Sequence, residues 1–358
     1  MRTINVGVVG CGEVAQRVYL PEFHRLHAKA TLIAVCDPIE ERARAAQQRF
    51  GARTYYTDLD RFLHESNAEI VVNLTPHQAH IPVSMAALAA GRHVYTEKPL
   101  AQSVDDATRL IDTAQRYRVK LACAPIMLLL PTTQRWRHLL QQGTIGRATF
   151  ARAQLLAPAT WDGFSADQAW YFASGSGPLI DGGVYALTAL TGLLGPASRV
   201  SAMAGTIISE HVIGHGPATG RRLRTEVEDS VHLHLDFGGL FATLDVSWCV
   251  QASRNVTCEV YGEHGTLSGD PTYANTPIHI FRPASGWTVE DPAPRWPRDD
   301  DWVQGVTHLV DCVRHDTAPV NSATHARHVL DIMLTALRSA REGRALALQT
   351  TFSPTPTQ

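Results

Sequence analysis

Ile4-Asn5-Val6-Gly7-Val8-Val9-Gly10-Cys11-Gly12-Glu13-Val14-Ala15 decides how this chain folds. An apolar, β-branched run with almost no polar interruption reads as a strand buried on both faces. It ends in the spacing G-x-G-x-x-A and opens into a helical stretch. Such a string is common by chance, but its place at a first strand–helix junction gives it meaning. The first glycine permits a tight turn, the second lets a pyrophosphate approach the backbone, and the small third residue lets helix and strand pack closely. The helix N-terminus then faces the phosphates.

Outward from that junction the rhythm continues. Strand-like runs at 4–9, 31–36, 69–74, 92–95 and 119–122 alternate with helical stretches near 13–27, 39–50, 58–65, 79–90 and 103–117. That alternation predicts an α/β, doubly wound parallel sheet of the Rossmann kind over residues 1–125. After Pro125 the pattern changes. Helices near 132–142 and 178–194 flank a strand at 147–156, and period-two alternation follows, cleanest in Val231-His232-Leu233-His234-Leu235-Asp236-Phe237. Phe241–Trp248 and Asn255–Tyr261 read the same way, and Gly238-Gly239 marks a hairpin. A linker rich in Pro and Asp over 282–301 leads to two helices, 302–315 and 323–341. Residues 126–358 thus read as an α+β domain with a mostly antiparallel sheet.

Asp37 ends the second strand, where a carboxylate can accept hydrogen bonds from the adenosine ribose hydroxyls. It would repel a 2′-phosphate, and Pro38 rather than an arginine follows, so NAD is expected in preference to NADP. Helix capping is a second role open to Asp37. Thr75, Pro76 and His77 fall where another strand meets its helix, a position that lines a nicotinamide, and helix capping is a second role open to His77.

Glu97-Lys98-Pro99 falls at the end of a further strand, the edge at which open α/β sheets bind ligands. Pro99 disfavours α geometry at Lys98. Beside a cationic nicotinamide the ammonium form is disfavoured, so the amine becomes a proton-transfer group near neutral pH. A second cluster, Gly175-Ser176-Gly177-Pro178-Leu179-Ile180-Asp181-Gly182-Gly183-Val184-Tyr185, starts a helix at Pro178. It sets Asp181 and Tyr185 one turn apart on one face. Two glycines inside a helix cost about 1 kcal/mol each relative to alanine, which suggests that a cofactor ring or substrate packs on them. Trp161, Asp162, Asp167, Trp170 and Tyr171 precede this helix and suit a polyhydroxylated ring, although core packing explains tryptophans equally well.

Gly10-x-Gly12-x-x-Ala15, Thr75-Pro76, Glu97-Lys98-Pro99 and Asp181-Gly-Gly-Val-Tyr185 together resemble the glucose–fructose oxidoreductase / inositol dehydrogenase (Gfo/Idh/MocA) family, in the family's order and over most of the chain. The resemblance implies a Rossmann domain followed by a domain with an open antiparallel sheet that forms homodimers or homotetramers. It also implies hydride transfer between NAD and a secondary alcohol or ketone carbon of a sugar, cyclitol or sugar derivative. Lys98 would contact the reacting hydroxyl, and Asp181 would bind substrate and lysine. Inositol dehydrogenase-like members often carry histidine where this chain has Tyr185, so a histidine relay gives way to Tyr185 as acid/base. His80 matches a family histidine expected to make a structural hydrogen bond. The expected cofactor contacts are Gly10, Gly12, Glu13, Val14, Asp37, Thr75, Pro76, His77, Glu97 and Lys98. The expected substrate contacts are Lys98, Trp161, Trp170, Asp181 and Tyr185.

Bulk properties agree. With 358 residues, 44% hydrophobic, 18% charged and a net charge of -2, the chain suits two globular domains and offers nothing to nucleic acid or an anionic membrane. Seventeen histidines show no metal-ligand spacing, so no metal is expected. Six scattered cysteines suit reduced core thiols in the cytoplasm, and neither a signal peptide nor a membrane span is expected. Two other functions share this scaffold: a redox-neutral glycoside hydrolase or lyase that retains its NAD, and a non-enzymatic nucleotide-binding regulator. The latter has no need of Lys98, Asp181 and Tyr185 together.

Overall fold

A computed structural model describes residues 2–159, 169–214, 219–292, 294–299 and 301–354. They form two compact units, Met1–Ile126 with Asp301–Arg327, and Met127–Asp300 with His328–Gln358. The sequence placed everything after residue 125 in the second domain, whereas residues 301–327 belong to the first unit. Packing explains the difference. The helix Val303–His315 buries Val303, Val306, Leu309 and Val310 in one cluster with Val6, Val8 and Tyr95. Its Gly305 lies against the Tyr95 ring, where a Cβ would have no room.

The first unit carries strands β1 (Ile4–Val9), β2 (Ala30–Cys36), β3 (Thr54–Tyr56), β4 (Ile70–Asn73), β5 (His93–Thr96) and β6 (Leu121–Cys123). All pair in parallel, in the order β3-β2-β1-β4-β5-β6. The order reverses between β1 and β4, and ligands bind at such a switch point, outside the carboxyl ends of the strands. Helices α1 (Glu40–Phe50), α2 (Leu59–Glu65), α3 (His80–Ala89) and α4 (Val104–Arg116) connect them. Side chains cap two of these helices: Ser103 Oγ accepts from Asp106 N at the start of α4, and Asp58 Oδ1 accepts from Arg61 N at α2.

Two details differ from expectation. Residues 13–27 are not one α-helix; a π-helical turn over Ala15–Tyr19 passes into 3₁₀ turns over Leu20–Leu26. Pro21 has no N–H to continue an α ladder. The edge strand β3 went unread because three half-buried residues are too short to show a period.

The second unit contains α5 (Pro131–Gln141), β7 (Ala148–Leu156), α6 (Val184–Leu194), β8 (Arg199–Gly205), β9 (Glu210–Val212), β10 (Arg222–Arg224), β11 (Ser230–Asp236), β12 (Phe241–Ser247), β13 (Cys258–Gly262), β14 (Gly265–Gly269), β15 (Ile278–Arg282), β16 (Gly286–Glu290) and β17 (Leu346–Ala347). Nine strands form one sheet in the order β16-β15-β14-β13-β7-β12-β11-β8-β17, antiparallel except where β7 meets β12. The alternation read in β11 is realised: Val231, Leu233 and Leu235 are buried while His232 and His234 are exposed. Its turn into β12 is also as expected, with Gly238 at φ 78°. The linker is shorter than expected, because β16 occupies its first half. The Pro- and Asp-rich composition that suggested a linker lies beyond Glu290, while Trp287-Thr288-Val289 is strand-forming sequence entered through Gly286 at φ 69°.

Candidate functional site

In the first unit, Gly10 closes β1 with φ 91°, and a Cβ there would lie 2.7 Å from the Leu74 carbonyl carbon and the Thr75 nitrogen. Only glycine fits, because the turn needs both the left-handed backbone and that close approach to the end of β4. Gly12 is different: a Cβ there would meet nothing within 4 Å, so open space lies over the turn where a pyrophosphate would approach. Ala15, the small third position, is fully buried. Glu13 pairs with Arg17 at 2.7 Å and Val14 packs partly buried against the core. The Cys11 thiol is pushed up to about 12 by burial and by the Asp37 carboxylate, so it adds no negative charge to a site for phosphates.

Asp37 holds the same turn together. One carboxylate oxygen accepts the Cys11 N–H at 2.8 Å and the other the Ile39 N–H at 2.9 Å, with the side chain almost wholly buried. It therefore orders the glycine loop as well as standing where ribose hydroxyls are expected. Asp37→Ala would leave the buried Cys11 N–H without its partner, a loss of about 1–3 kcal/mol. The expected result is a lower thermal midpoint of the nucleotide-free protein together with a weaker preference for NAD over NADP. Calorimetry and nucleotide titration read the two parts separately, and an unchanged midpoint would remove the structural role.

At the end of β4, Thr75 donates its hydroxyl to Asn73 Oδ1 at 2.6 Å, and Asn73 is in turn bound through Nδ2 to His80 O and Ser84 Oγ. The Thr75 hydroxyl can therefore only accept from a ligand. Pro76 leads into a short turn, His77–Ala79. His80 behaves as expected: its ring nitrogens lie 2.8 Å from Pro99 O and 2.9 Å from Thr75 O. Burial lowers its pKa, against the pull of those two carbonyls and of Glu97. The neutral ring carries one N–H, so His80 donates to one of these two carbonyls and packs against the other.

Lys98 follows β5, half-buried, with a cis peptide to Pro99, and Glu97 N donates to Asn73 O at 3.0 Å. The Thr75 and Lys98 turns thus sit at the carboxyl ends of the adjacent parallel strands β4 and β5. The chain holds only three lysines, Lys29, Lys98 and Lys120. Lys29 pairs with Asp311 at 2.7 Å and Lys120 with Asp316 at 2.9 Å, remote in sequence from both turns. Glu97, expected at the cofactor, uses its carboxylate within the fold: Oε1 accepts the Tyr19 hydroxyl at 2.5 Å and Oε2 the Lys98 N–H at 2.9 Å. Tyr19, Asn73 and Ser84 carried no sequence signal, since each resembles an ordinary core residue.

In the second unit, Asp181 and Tyr185 lie on one helical segment, as expected. Asp181 falls in a π-helical turn over Leu179–Gly183 and Tyr185 begins α6. Asp181 N donates to Gly177 O at 2.9 Å, and Gly177 has φ 99°. From Ser176 to Thr191 every residue is buried except these two, which are half-exposed. The glycines between them have another cause than the one expected. A Cβ on Gly182 would lie 2.8 Å from Leu155 Cδ2, and one on Gly183 would lie 2.8 Å from Leu179 Cδ1 and 3.3 Å from Val246 Cγ2. They let the helix settle on β7 and β12.

Trp170 is exposed and stacks on Tyr171 at 3.7 Å between ring centroids, and Tyr171 meets Trp248 edge-on. Gly177 N donates to Tyr171 O at 3.1 Å, tying this aromatic turn to the start of the Asp181 segment. Trp161, Asp162 and Asp167 lie outside the described residues.

Both parts of the chain are similar to known proteins. Residues 4–124 match the model of an oxidoreductase family with an NAD-binding Rossmann fold, and residues 133–268 match the GFO/IDH/MocA C-terminal domain. A dTDP-3,4-didehydro-2,6-dideoxy-alpha-D-glucose 3-reductase of Streptomyces violaceoruber is 31% identical over 276 residues, 76% of this chain and 75% of the relative. A D-glucoside 3-dehydrogenase of Escherichia coli is 28% identical over 79% of this chain and 80% of its own. Among solved structures, a levoglucosan dehydrogenase in complex with NADH and levoglucosan superimposes with a TM-score of 0.83 at 18% identity, covering 98% of this chain and 100% of that one. With its Gly10–Gly12 turn, its Lys98 strand edge and its mixed nine-stranded sheet, the chain belongs to the GFO/IDH/MocA family of NAD-binding oxidoreductases.

Proposed function

We propose that this oxidoreductase moves a hydride between NAD and a secondary alcohol or ketone carbon of a sugar, cyclitol or sugar derivative, with Lys98, Asp181 and Tyr185 at the reacting centre. The observation that carries this reading is the lone exposure of Asp181 and Tyr185 on an otherwise buried segment. An acid and a phenol kept at a surface at that spacing have chemistry to do, and in the first unit Lys98 stands half-buried at the carboxyl end of β5. NAD⁺, when bound, supplies the hydride acceptor. In the oxidative direction Tyr185, or the Lys98 amine directly, takes the hydroxyl proton, while Lys98 and Asp181 hold the substrate oxygens and stabilise developing negative charge. Thr75 offers a fixed acceptor to the nicotinamide side, and Gly12 leaves the phosphates their space. The Trp170–Tyr171 stack supports a sugar ring as substrate, because an aromatic face matches the C–H face of a polyhydroxylated ring.

Polyols, cyclitols, sugars and glycosides should be screened with NAD and NADP in parallel while nicotinamide absorbance is followed. Hexose 3-hydroxyls come first, since two relatives are named for reactions at that position. Turnover with NAD on a ring alcohol is the expected result. Glycoside cleavage without net NADH would replace it with the redox-neutral reading, and NADP preference would overturn the role given to Asp37.

We also propose that the nine-stranded sheet joins copies of this chain into a homodimer or homotetramer. Phe241, Phe150, Tyr261, Thr266, Phe281 and Trp287 stand opposite one another across six strands on one face. Phe150 stacks on Tyr261 at 5.6 Å, and Phe241 and Trp287 are 61% and 55% exposed. An aromatic band of this length is the kind of patch that proteins cover. The double variant Phe241→Glu/Trp287→Glu should sediment at a lower mass than the wild type with unchanged circular dichroism; equal masses would refute the interface. All six cysteines are free thiols, which fits a reducing compartment such as the cytoplasm.

A further inference from the structure

We propose that Tyr19 is a positioning residue for Lys98, acting through the Glu97 carboxylate. The inference rests on the reading of Lys98 as the reacting lysine. Tyr19 ends the π-helical turn that follows the glycine loop, and its side chain is buried to 1% exposure. A phenylalanine would fill the same core without burying a hydroxyl, which is unfavourable unless it is hydrogen-bonded. That hydroxyl is hydrogen-bonded. It donates to Glu97 Oε1 at 2.5 Å and lies 3.4 Å from the Tyr95 hydroxyl, whose ring it meets edge-on. The other Glu97 oxygen accepts the Lys98 N–H at 2.9 Å.

One carboxylate thus spans from a buried phenol to the backbone of the lysine. On the far side of Lys98, the Pro99 carbonyl lies 2.8 Å from His80 Nδ1, and the Nδ1–H tautomer of the ring donates to it. The turn is gripped before and after the lysine, so the direction in which its side chain leaves the backbone is set from two sides. Burial, and next the Glu97 charge, raise the Tyr19 pKa well above its ordinary value, so it remains a donor throughout the working range. A bond to a charged acceptor is roughly twice as strong as a neutral one, which suits Tyr19 to holding a carboxylate still.

Because the chain has three lysines, reductive ¹³C-methylation of the nucleotide-free protein gives three lysine signals, with Lys29 and Lys120 as internal references. Loss of a signal in Lys98→Arg assigns the third. In Tyr19→Phe the Lys98 signal is expected to shift and to titrate at a different midpoint, while the other two stay in place. On unmethylated enzyme kcat should fall about tenfold or more, with KM for NAD within about twofold, in line with loss of a charged hydrogen bond. Glu97→Gln should move the same signal, and the double variant should be no worse than the worse single one, since both interrupt one path. Should Tyr19→Phe fail to fold, Glu97→Gln alone carries the test by the same signal. A Lys98 signal and kcat unchanged in a folded variant, or strictly additive losses, would overturn the proposal. If Lys98→Ala keeps turnover, the reading of the active site has failed; if Lys98→Ala is inactive while Tyr19→Phe behaves as wild type, only the role of Tyr19 has.

Discussion

Lys98→Ala is expected to lower turnover by about 10²–10⁴-fold, the range that a positioned acid or base contributes, while the protein stays folded and still binds NADH. The amine stands at the carboxyl end of β5, beside the Thr75 turn of β4, and no other lysine belongs to these two turns. The side chain is half-exposed, so its removal opens no core cavity. Its backbone remains gripped by Glu97 and, through Pro99, by His80, so the strand edge should survive the substitution. Lys98→Met separates charge from shape, since it keeps most of the stem and removes the amine. Both variants should show the same deficit in kcat, with nucleotide affinity measured by NADH fluorescence close to wild type. Turnover retained to within tenfold in either would remove Lys98 from the chemistry.

The second large effect belongs to Gly10. Gly10→Val should abolish NADH binding and lower the thermal midpoint of the nucleotide-free protein. Two costs add. A left-handed backbone costs a residue with a Cβ about 1–2 kcal/mol, and more for a β-branched one. The new Cβ would also lie 2.7 Å from the Leu74 carbonyl carbon, which is backbone and cannot swing aside. Relief requires β1 and the end of β4 to separate, and that junction also carries Thr75. Gly12→Ala is the control, because its Cβ meets nothing within 4 Å. It should leave apo stability near wild type and weaken nucleotide binding only, by placing a methyl group where the phosphates approach. Equal behaviour of the two variants, measured by calorimetry and NADH titration, would contradict the division of labour between the glycines.

Much of the fold was legible before the structure. Near-continuous apolar strands announced a parallel sheet, and clean alternation in Val231–Phe237 announced an antiparallel one, because burial on two faces and on one face leave different periods. Short or interrupted elements escaped. Strand β3 has too few residues for a period, Pro21 breaks the first helix into tighter and wider turns, and β16 hides next to a Pro- and Asp-rich stretch.

For the site, the sequence alone determined the residue types at the two strand edges and on the Asp181 segment. Glycine spacing, a lysine before proline, and an aspartate four residues before a tyrosine are local patterns, and local patterns survive in one dimension. Tertiary structure decided everything that depends on residues distant in the chain. Asp37 turned out to organise the glycine loop, Gly182 and Gly183 to serve packing on β7 and β12, and Glu97 to join Lys98 to Tyr19, which lies 78 positions before Glu97. Residues 301–327 entered the first unit because the helix Val303–His315 packs into one cluster with Val6, Val8 and Tyr95, with Gly305 close against the Tyr95 ring. Hydrogen bonds and close packing between such partners form only once the strands have set their neighbours, so no spacing in the sequence records them.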